Sequence, residues 1–450
     1  MGALDRDRLR QLTRREDARF LATHVRSGEL SRSATHLLGG VPMSWMVKWP
    51  GAHPVYVESA SGAHFTDVDG NSYVDLCLGD TGAMAGHSPA ATMAAVRAQL
   101  DRGITTMLPS AAALDVSAEL ARHFGLPSWQ FTLTATDANR HALRYARALT
   151  GRGKVVVHDW CYHGSVDETF AVLDGSGATI DRPSSIGPAV PVGVTTVVVE
   201  FNDLAGLETA LATGEIAAVL MEPALTNIGI VLPDPGYLAG VRELTRKYGT
   251  LLIIDETHTL CAGPGGSTAA EGLEPDVLVV GKSIGGGIPC AAFGLSAEVA
   301  ARIERLVRLE DIDVGGIGGT LAGNPLSSAA MAATLREVLT DDAFGRMTDL
   351  AVRWTAGVQA AIDEVGAPWH VTRLGCRAEY GFSRDLPRNG AEAAASDDFE
   401  LQQYVHLYAL NRGFLLTPFH NMALMCPATT GADVDAHTEM FGPMMQELFA

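Results

Sequence analysis

Between about residues 110 and 300, short apolar runs alternate with stretches of helical spacing. KVVVHD (154–159), TTVVVEF (195–201), AAVLMEP (217–223), LLIIDE (251–256) and DVLVVGK (276–282) place apolar residues consecutively, not at every second position. Such runs are buried on both faces, as parallel strands covered by helices are. Between them lie helical patterns such as LAGLETALAT and GYLAGVRELTRKYG, the latter ending in Lys247 and Gly249 as a helix C-terminus does. The pattern predicts an α/β fold with a mostly parallel central sheet and helices on both faces.

The chain ends read differently. GAHFTDVDGNSYVDL (62–76) alternates around Asp69-Gly70 and predicts a hairpin. After residue 330 come the helical run LSSAAMAATLREVLT, the strand CRAEYGF, another helix and a last strand, FLLTP. This predicts a smaller α+β domain built from residues 1–78 and 331–450, with 79–330 as the large domain. RNGAEAAAS (388–396) reads as a flexible loop. The opening MGALDRDRLRQLTRREDARF mixes arginines with acids and lacks an apolar core. It is expected to be an exposed amphipathic helix that packs on a partner subunit, and neither a signal nor a transit peptide.

Charge and cysteine usage narrow the class. A net charge of −19 argues against nucleic acid or an anionic membrane as partner. The six cysteines are scattered without a CxxC pair, so no metal site and a reduced, cytoplasmic location are expected. No run of 18 apolar residues predicts a membrane span.

The stretch TLLIIDETHTL (250–260) ends its apolar run in two acids, Asp255 and Glu256. In open parallel sheets, ligands bind at the carboxyl ends of the strands. Lys282 closes the next run, inside VVGKSIGGGIP, where Gly285 to Gly287 let a backbone pass close to something bulky. A lysine there is costly unless paired or modified, the plain alternative being a solvated lysine in a surface loop. Both residues are expected at one sheet edge. A lysine amine makes Schiff bases, and a carboxylate holds a pyridinium nitrogen charged, which is the pairing that pyridoxal 5'-phosphate requires. A magnesium site on Asp255 and Glu256 is the rival reading.

Weaker signals point the same way. In TATDAN (134–139), Thr134, Thr136 and Asp137 are N-cap types before a helical run, and a helix N-terminus binds phosphate. A simple N-cap explains them equally. GGIGGTLAGNP (315–325), with Thr320, is a second phosphate candidate. CYHG (161–164) places Tyr162 or His163 at the same edge, to stack on a flat ring or to pack in the core. A nicotinamide-dependent dehydrogenase is an outside alternative, but no Gly-x-Gly-x-x-Gly follows a strand.

Together LLIIDE, VVGKSIGGGIP, GTLAGNPL (319–326), YHG and EPALTNIG (222–229) resemble the class III, fold-type I pyridoxal-phosphate aminotransferases. The subgroup resembled most is that of glutamate-1-semialdehyde aminomutase, and the likeness runs over residues 38–445. The resemblance implies that Lys282 carries the Schiff base and shuttles a proton. It further implies that Asp255 pairs with the pyridine nitrogen, that Tyr162 and Thr257 flank the ring, and that His258 lies near its hydroxyl. Thr134, Ala135, Thr136 and Glu222 would complete the cofactor site. Thr320 would reach the phosphate of a neighbouring subunit, so a homodimer with shared active sites is implied. Substrate contacts are expected from Trp45, Met46, Arg377, Thr417 and His420.

Four positions depart from the family pattern. Ala135 replaces a glycine of the phosphate loop, where a positive φ would strain it. His258 replaces the more common Gln or Met. Thr417 and Met46 stand where relatives place an arginine for a substrate carboxylate, and Trp45, Met46 and Trp49 make that wall apolar. Strand periodicity puts Arg377 and Glu379 on one face, as a gate for a carboxylate or as an ordinary salt bridge. The expected activity is transfer of an amino group between an amine or amino acid and a keto acid or ketone. The alternative is an aminomutase or racemase acting within one small-molecule substrate.

Overall fold

A computed structural model describes residues 4–183, 185–306 and 316–449. Gly315 of the glycine-rich stretch and the first three residues lie outside the described residues. The chain divides into two compact units.

The larger unit comprises Ala90–Asp341 and Pro387–Ala395. Its seven-stranded sheet contains β1 (Ser128–Thr132), β2 (Lys154–His158), β3 (Thr196–Val199), β4 (Ile216–Met221), β5 (Leu251–Asp255), β6 (Val277–Val280) and β7 (Ala291–Leu295). The order is β1-β7-β6-β5-β4-β2-β3, and only β7 runs antiparallel to its neighbours. Every residue of β4, β5, β6 and β7 is buried. This two-sided burial explains their uninterrupted apolar runs. Helices Ala135–Thr150 and Tyr237–Tyr248 pack on the sheet through Ala138, Ala142, Leu143, Leu238 and Val241. Gly249, with φ +61°, caps the second helix as its sequence predicts.

Two stretches of this unit differ from expectation. Residues 388–396 are not simply a loop, because Gly390–Ala395 is helical. Asn389 Oδ1 accepts from Glu392 N at 2.8 Å, and Glu392 Oε2 accepts from Arg388 N at 2.9 Å. Asn-x-x-Glu is a capping signature that the loop-like composition obscures. A Cβ on Gly390 would meet the Asp159 carbonyl oxygen at 2.4 Å, so the helix docks closely against that loop. The run LSSAAMAATLREVLT is helical only from Pro325 to Ala333 and continues as a π-turn over Thr334–Val338. There the Thr334 hydroxyl lies 2.7 Å from that of Thr92 and donates to the Ala330 carbonyl at 2.8 Å.

The second unit comprises Met1–Pro89, Asp342–Leu386 and Ser396–Ala450. One sheet joins Val57–Ser61, His64–Asp67, Ser72–Asp75 and Phe414–Leu415, with the hairpin turning at Gly70 (φ +88°). Another joins His370–Leu374, Arg377–Gly381 and Met422–Leu424. The first helix, Arg6–Thr23, is not wholly exposed as the sequence suggests. Its Phe20 packs with Phe65, Tyr73, Leu407 and Leu410. Its buried Glu16 accepts from Arg412 at 2.9 Å and from Arg15 at 2.7 Å. These pairs let an acid sit on the inner face of a charged helix.

Candidate active site

Parallel pairing brings the carboxyl ends of β5 and β6 together. Asp255 faces Val279 in register, and Glu256 N donates to the Val279 carbonyl at 2.8 Å. Lys282 follows three positions later. It has φ +53°, a left-handed conformation that costs a side-chain-bearing residue about 1–2 kcal/mol. Strain of this kind is held by surrounding packing. A Cβ on the preceding Gly281 would meet the Cβ of Ala291 at 3.0 Å and that of Ala135 at 3.1 Å. Gly286 has φ +56°, and a Cβ there would meet the Thr92 and Thr334 hydroxyls at 2.8 Å. The glycines after Lys282 therefore serve protein packing at this point.

Asp255 is held from three sides. Oδ2 accepts from Asn139 Nδ2 at 2.8 Å and lies 2.9 Å from His163 Nδ1, while Oδ1 accepts from Thr257 N at 3.0 Å. Burial alone would raise the Asp255 carboxyl; the His163 ring, Thr257 and Asn139 pull it below the usual carboxylate range. Burial alone would neutralise His163, but the Cys161 sulfur and the Asp255 carboxylate raise its pKa and keep the ring charged. The pair is a buried ion pair.

Glu256 does not join Asp255 in a metal-type pair. Its carboxylate accepts from Thr259 Oγ1 at 2.6 Å, Ser267 N at 3.1 Å and Thr268 N at 2.5 Å. A Cβ on Gly266 would meet Glu256 Oε2 at 2.3 Å. Those bonds fix the turn after β5.

The helix Ala135–Thr150 begins beside this corner. Thr134 is its N-cap, accepting from Asp137 N at 3.2 Å. Ala135 has no positive φ, so the strain expected from the missing glycine does not arise. Thr136 Oγ1 accepts from Ser165 N at 3.0 Å, and a Cβ on Gly164 would fall 2.1 Å from that oxygen. The YHG turn is thus pinned to the helix N-terminus, whose first N–H groups have no partner within the helix. Asn139, which the sequence reading did not single out, bridges the two by donating also to the His163 carbonyl at 3.1 Å. A polar residue beside Ala138 on the apolar face of this helix is the signal that marks it.

The remaining residues fall as follows. Lys282 Nζ lies 2.6 Å from His258 Nε2, both side chains being half-buried. Glu222, at the end of β4, is buried and accepts a short hydrogen bond from Thr226 Oγ1. Thr257 is buried, and Tyr162 is half-buried with its ring 6.4 Å from that of Phe170. Thr320 is exposed and lines a cavity of about 420 Å³ with Trp129, Phe131, His141 and Phe293.

Trp45, Met46, Arg377, Thr417 and His420 all belong to the second unit. Met46 and Trp49 line an apolar cavity of about 360 Å³ with Val41, Phe65, Leu410 and Leu415. Trp45 and Trp49 both contact Phe419 edge-on, at 5.7 Å and 6.5 Å between ring centroids. Thr417 and His420 are buried, with His420 N donating to the Thr417 carbonyl at 3.2 Å. Arg377 is fully buried with Glu379, and its Nε donates to Glu379 Oε1 at 2.9 Å. The two form a salt bridge, and it is buried.

An ionised carboxylate, an amine and a helix N-terminus at one sheet edge suit a group bearing a basic ring nitrogen, a carbonyl and a phosphate. The donor set fits pyridoxal phosphate.

Comparison with known proteins agrees. The model of the aminotransferase class-III family matches residues 47–441. A glutamate-1-semialdehyde 2,1-aminomutase of Desulfitobacterium hafniense is 34% identical over 404 residues, covering 88% of this chain and 92% of that protein. The crystal structure of a glutamate-1-semialdehyde-aminomutase from Pseudomonas aeruginosa superposes with a TM-score of 0.97 at 50% identity, covering 99% of this chain and 100% of that one. A lysine-to-alanine variant of the Pseudomonas aeruginosa protein was crystallised in complex with PMP. An omega-transaminase from Sphaerobacter thermophilus matches with a TM-score of 0.84 at 29% identity, covering 94% of this chain and 98% of that one.

Proposed function

The chain belongs to the class-III aminotransferase family, and from that premise we propose that it is a pyridoxal-phosphate-dependent aminomutase. The expectation of transfer between two substrates yields to the alternative of transfer within one, since the relatives at 34% and 50% identity carry the aminomutase name.

Pyridoxal phosphate, when bound, supplies a carbonyl that captures amines and a ring that delocalises the electron pair left at the substrate carbon. Lys282 would hold the cofactor and carry a proton on Nζ. Asp255, kept ionised by His163, Asn139 and Thr257, would hold the ring nitrogen charged. The N-terminus of helix Ala135–Thr150, with Thr134, Ala135 and Thr136, would bind the phosphate. Tyr162 and Thr257 would flank the ring, and Glu222 would close the site. The single observation that carries the reading is the buried pair that His163 makes with Asp255, at the end of the strand next to the one that leads to Lys282.

A homodimer is part of this proposal. Met107 and Leu108 are each 73% exposed and Leu114 is 74% exposed, an apolar surface beside the cavity of Thr320. A second copy would cover it and bring Thr320 to the partner's site.

One observation favours a second reading. Met46, Trp45, Trp49 and Phe419 offer no cation where the resemblance places a carboxylate-gripping arginine. Transamination of an amine with an apolar body would suit that wall.

The test is to supply glutamate-1-semialdehyde alone. Conversion to its positional amino isomer, with no keto acceptor, supports the aminomutase. Stoichiometric pyridoxamine phosphate and released carbonyl product from an arylalkylamine, with no isomerisation of the semialdehyde, would support transamination instead.

A further inference from the structure

The distance between Lys282 Nζ and His258 Nε2, 2.6 Å, is that of a strong hydrogen bond. Two nitrogens at this distance share one proton, with one of them donating and the other accepting. Nothing in the proposed chemistry uses that imidazole as an acid or base. We propose that His258 is the proton partner of Lys282: its ring takes up and returns a proton of the amine, so that Lys282 is a base at one carbon and an acid at the other. This rests on the pyridoxal-phosphate reading of the site.

The geometry supports it in three ways. His258 sits in the turn after β5, and Lys282 opens the turn after β6, so adjacent strands aim the two groups at one point. The turn of His258 is braced by Glu256, whose carboxylate holds Thr259, Ser267 and Thr268. The left-handed φ of Lys282 fixes where its side chain starts. The other ionisable groups at these strand ends have their own partners: Asp255 has His163 and Asn139, and Glu222 has Thr226. Proton exchange breaks one N–H bond on Lys282 and forms one on His258 Nε2, with no change of oxidation state.

The experiment uses the holoenzymes of wild type, His258→Gln and His258→Asn. Cofactor loading is read first, from the visible absorbance band and its loss with borohydride. A wild type that shows no such band after loading with pyridoxal 5'-phosphate overturns the pyridoxal-phosphate reading of the site itself, not merely the role of His258. With loading intact, single-turnover rates are measured with protiated and Cα-deuterated amine donors across pH. The expected result is a rate about a hundredfold lower in both variants, a larger deuterium isotope effect, and loss of one limb of the pH profile. Wild-type rates overturn the proposal. So does a slower rate with an unchanged isotope effect and profile shape, which would mean that His258 only packs. Should the variants fold without loading, histidine labelled with ¹⁵N decides. The Nε2 signal of His258, identified by its absence in His258→Gln, must move in Lys282→Ala, and an unmoved signal overturns the proposal. A misfolded Gln variant leaves the same signal to be identified with His258→Asn.

Discussion

Nδ1 of His163 lies 2.9 Å from Oδ2 of Asp255, with both side chains buried. A charged imidazole and a carboxylate compensate each other's desolvation only as a pair. Replacing His163 by Leu leaves Asp255 buried and charged without its cation. Unfolding free energy should fall by about 3–5 kcal/mol, read from urea denaturation of the apoprotein. The companion double variant, His163→Leu with Asp255→Leu, should recover most of that loss. A single variant as stable as wild type would mean that Asp255 is neutral in the folded chain.

Lys282 carries a second, purely conformational signature. Its φ of +53° is one that glycine adopts freely. Both Lys282→Ala and Lys282→Gly should lose turnover by several orders of magnitude. The glycine variant should nevertheless be more stable than the alanine variant by about 1 kcal/mol. Equal urea midpoints would refute the strained backbone.

Asp255→Asn keeps a hydrogen-bonding side chain of the same size but removes the charge. Cofactor stoichiometry should hold while the half-reaction with an amine donor slows markedly. Unchanged half-reaction rates would show that Asp255 does not serve the ring nitrogen.

Arg377 and Glu379 are buried together, so Arg377→Ala should cost about 3–5 kcal/mol by stranding Glu379. If the arginine also gates a carboxylate, the loss of kcat/KM should be confined to amino acids and spare a simple amine of similar bulk. Equal losses on both substrates would leave the pair a purely structural one.

Glu200 supplies a pH test. Burial, together with nearby Asp159, raises its carboxyl from 4.5 to about 7. The folded chain then holds a proton that the unfolded chain has released, so this group disfavours the folded state increasingly from about 4.5 upward to about 7. Glu200→Gln should raise the Tm at pH 8 and leave it nearly unchanged at pH 4. A Tm gain of the same size at both pH values would exclude the titration.

The sequence by itself determined the two-sided burial of β4, β5 and β6, because consecutive apolar residues allow no exposed face. It also placed Asp255 and Lys282 where strands end, because chemistry that closes an apolar run is visible locally. The docked helix Gly390–Ala395 was hidden by small residues whose helical signal, Asn389 with Glu392, is short. What only the tertiary structure decided were the partners. His163 meets Asp255 across 92 positions, Asn139 meets it across 116, and His258 meets Lys282 across 24. Strand order and the docking of one helix N-terminus set those distances. No local pattern encodes them, because a hydrogen bond depends on where two chain segments meet and not on the spacing within either one.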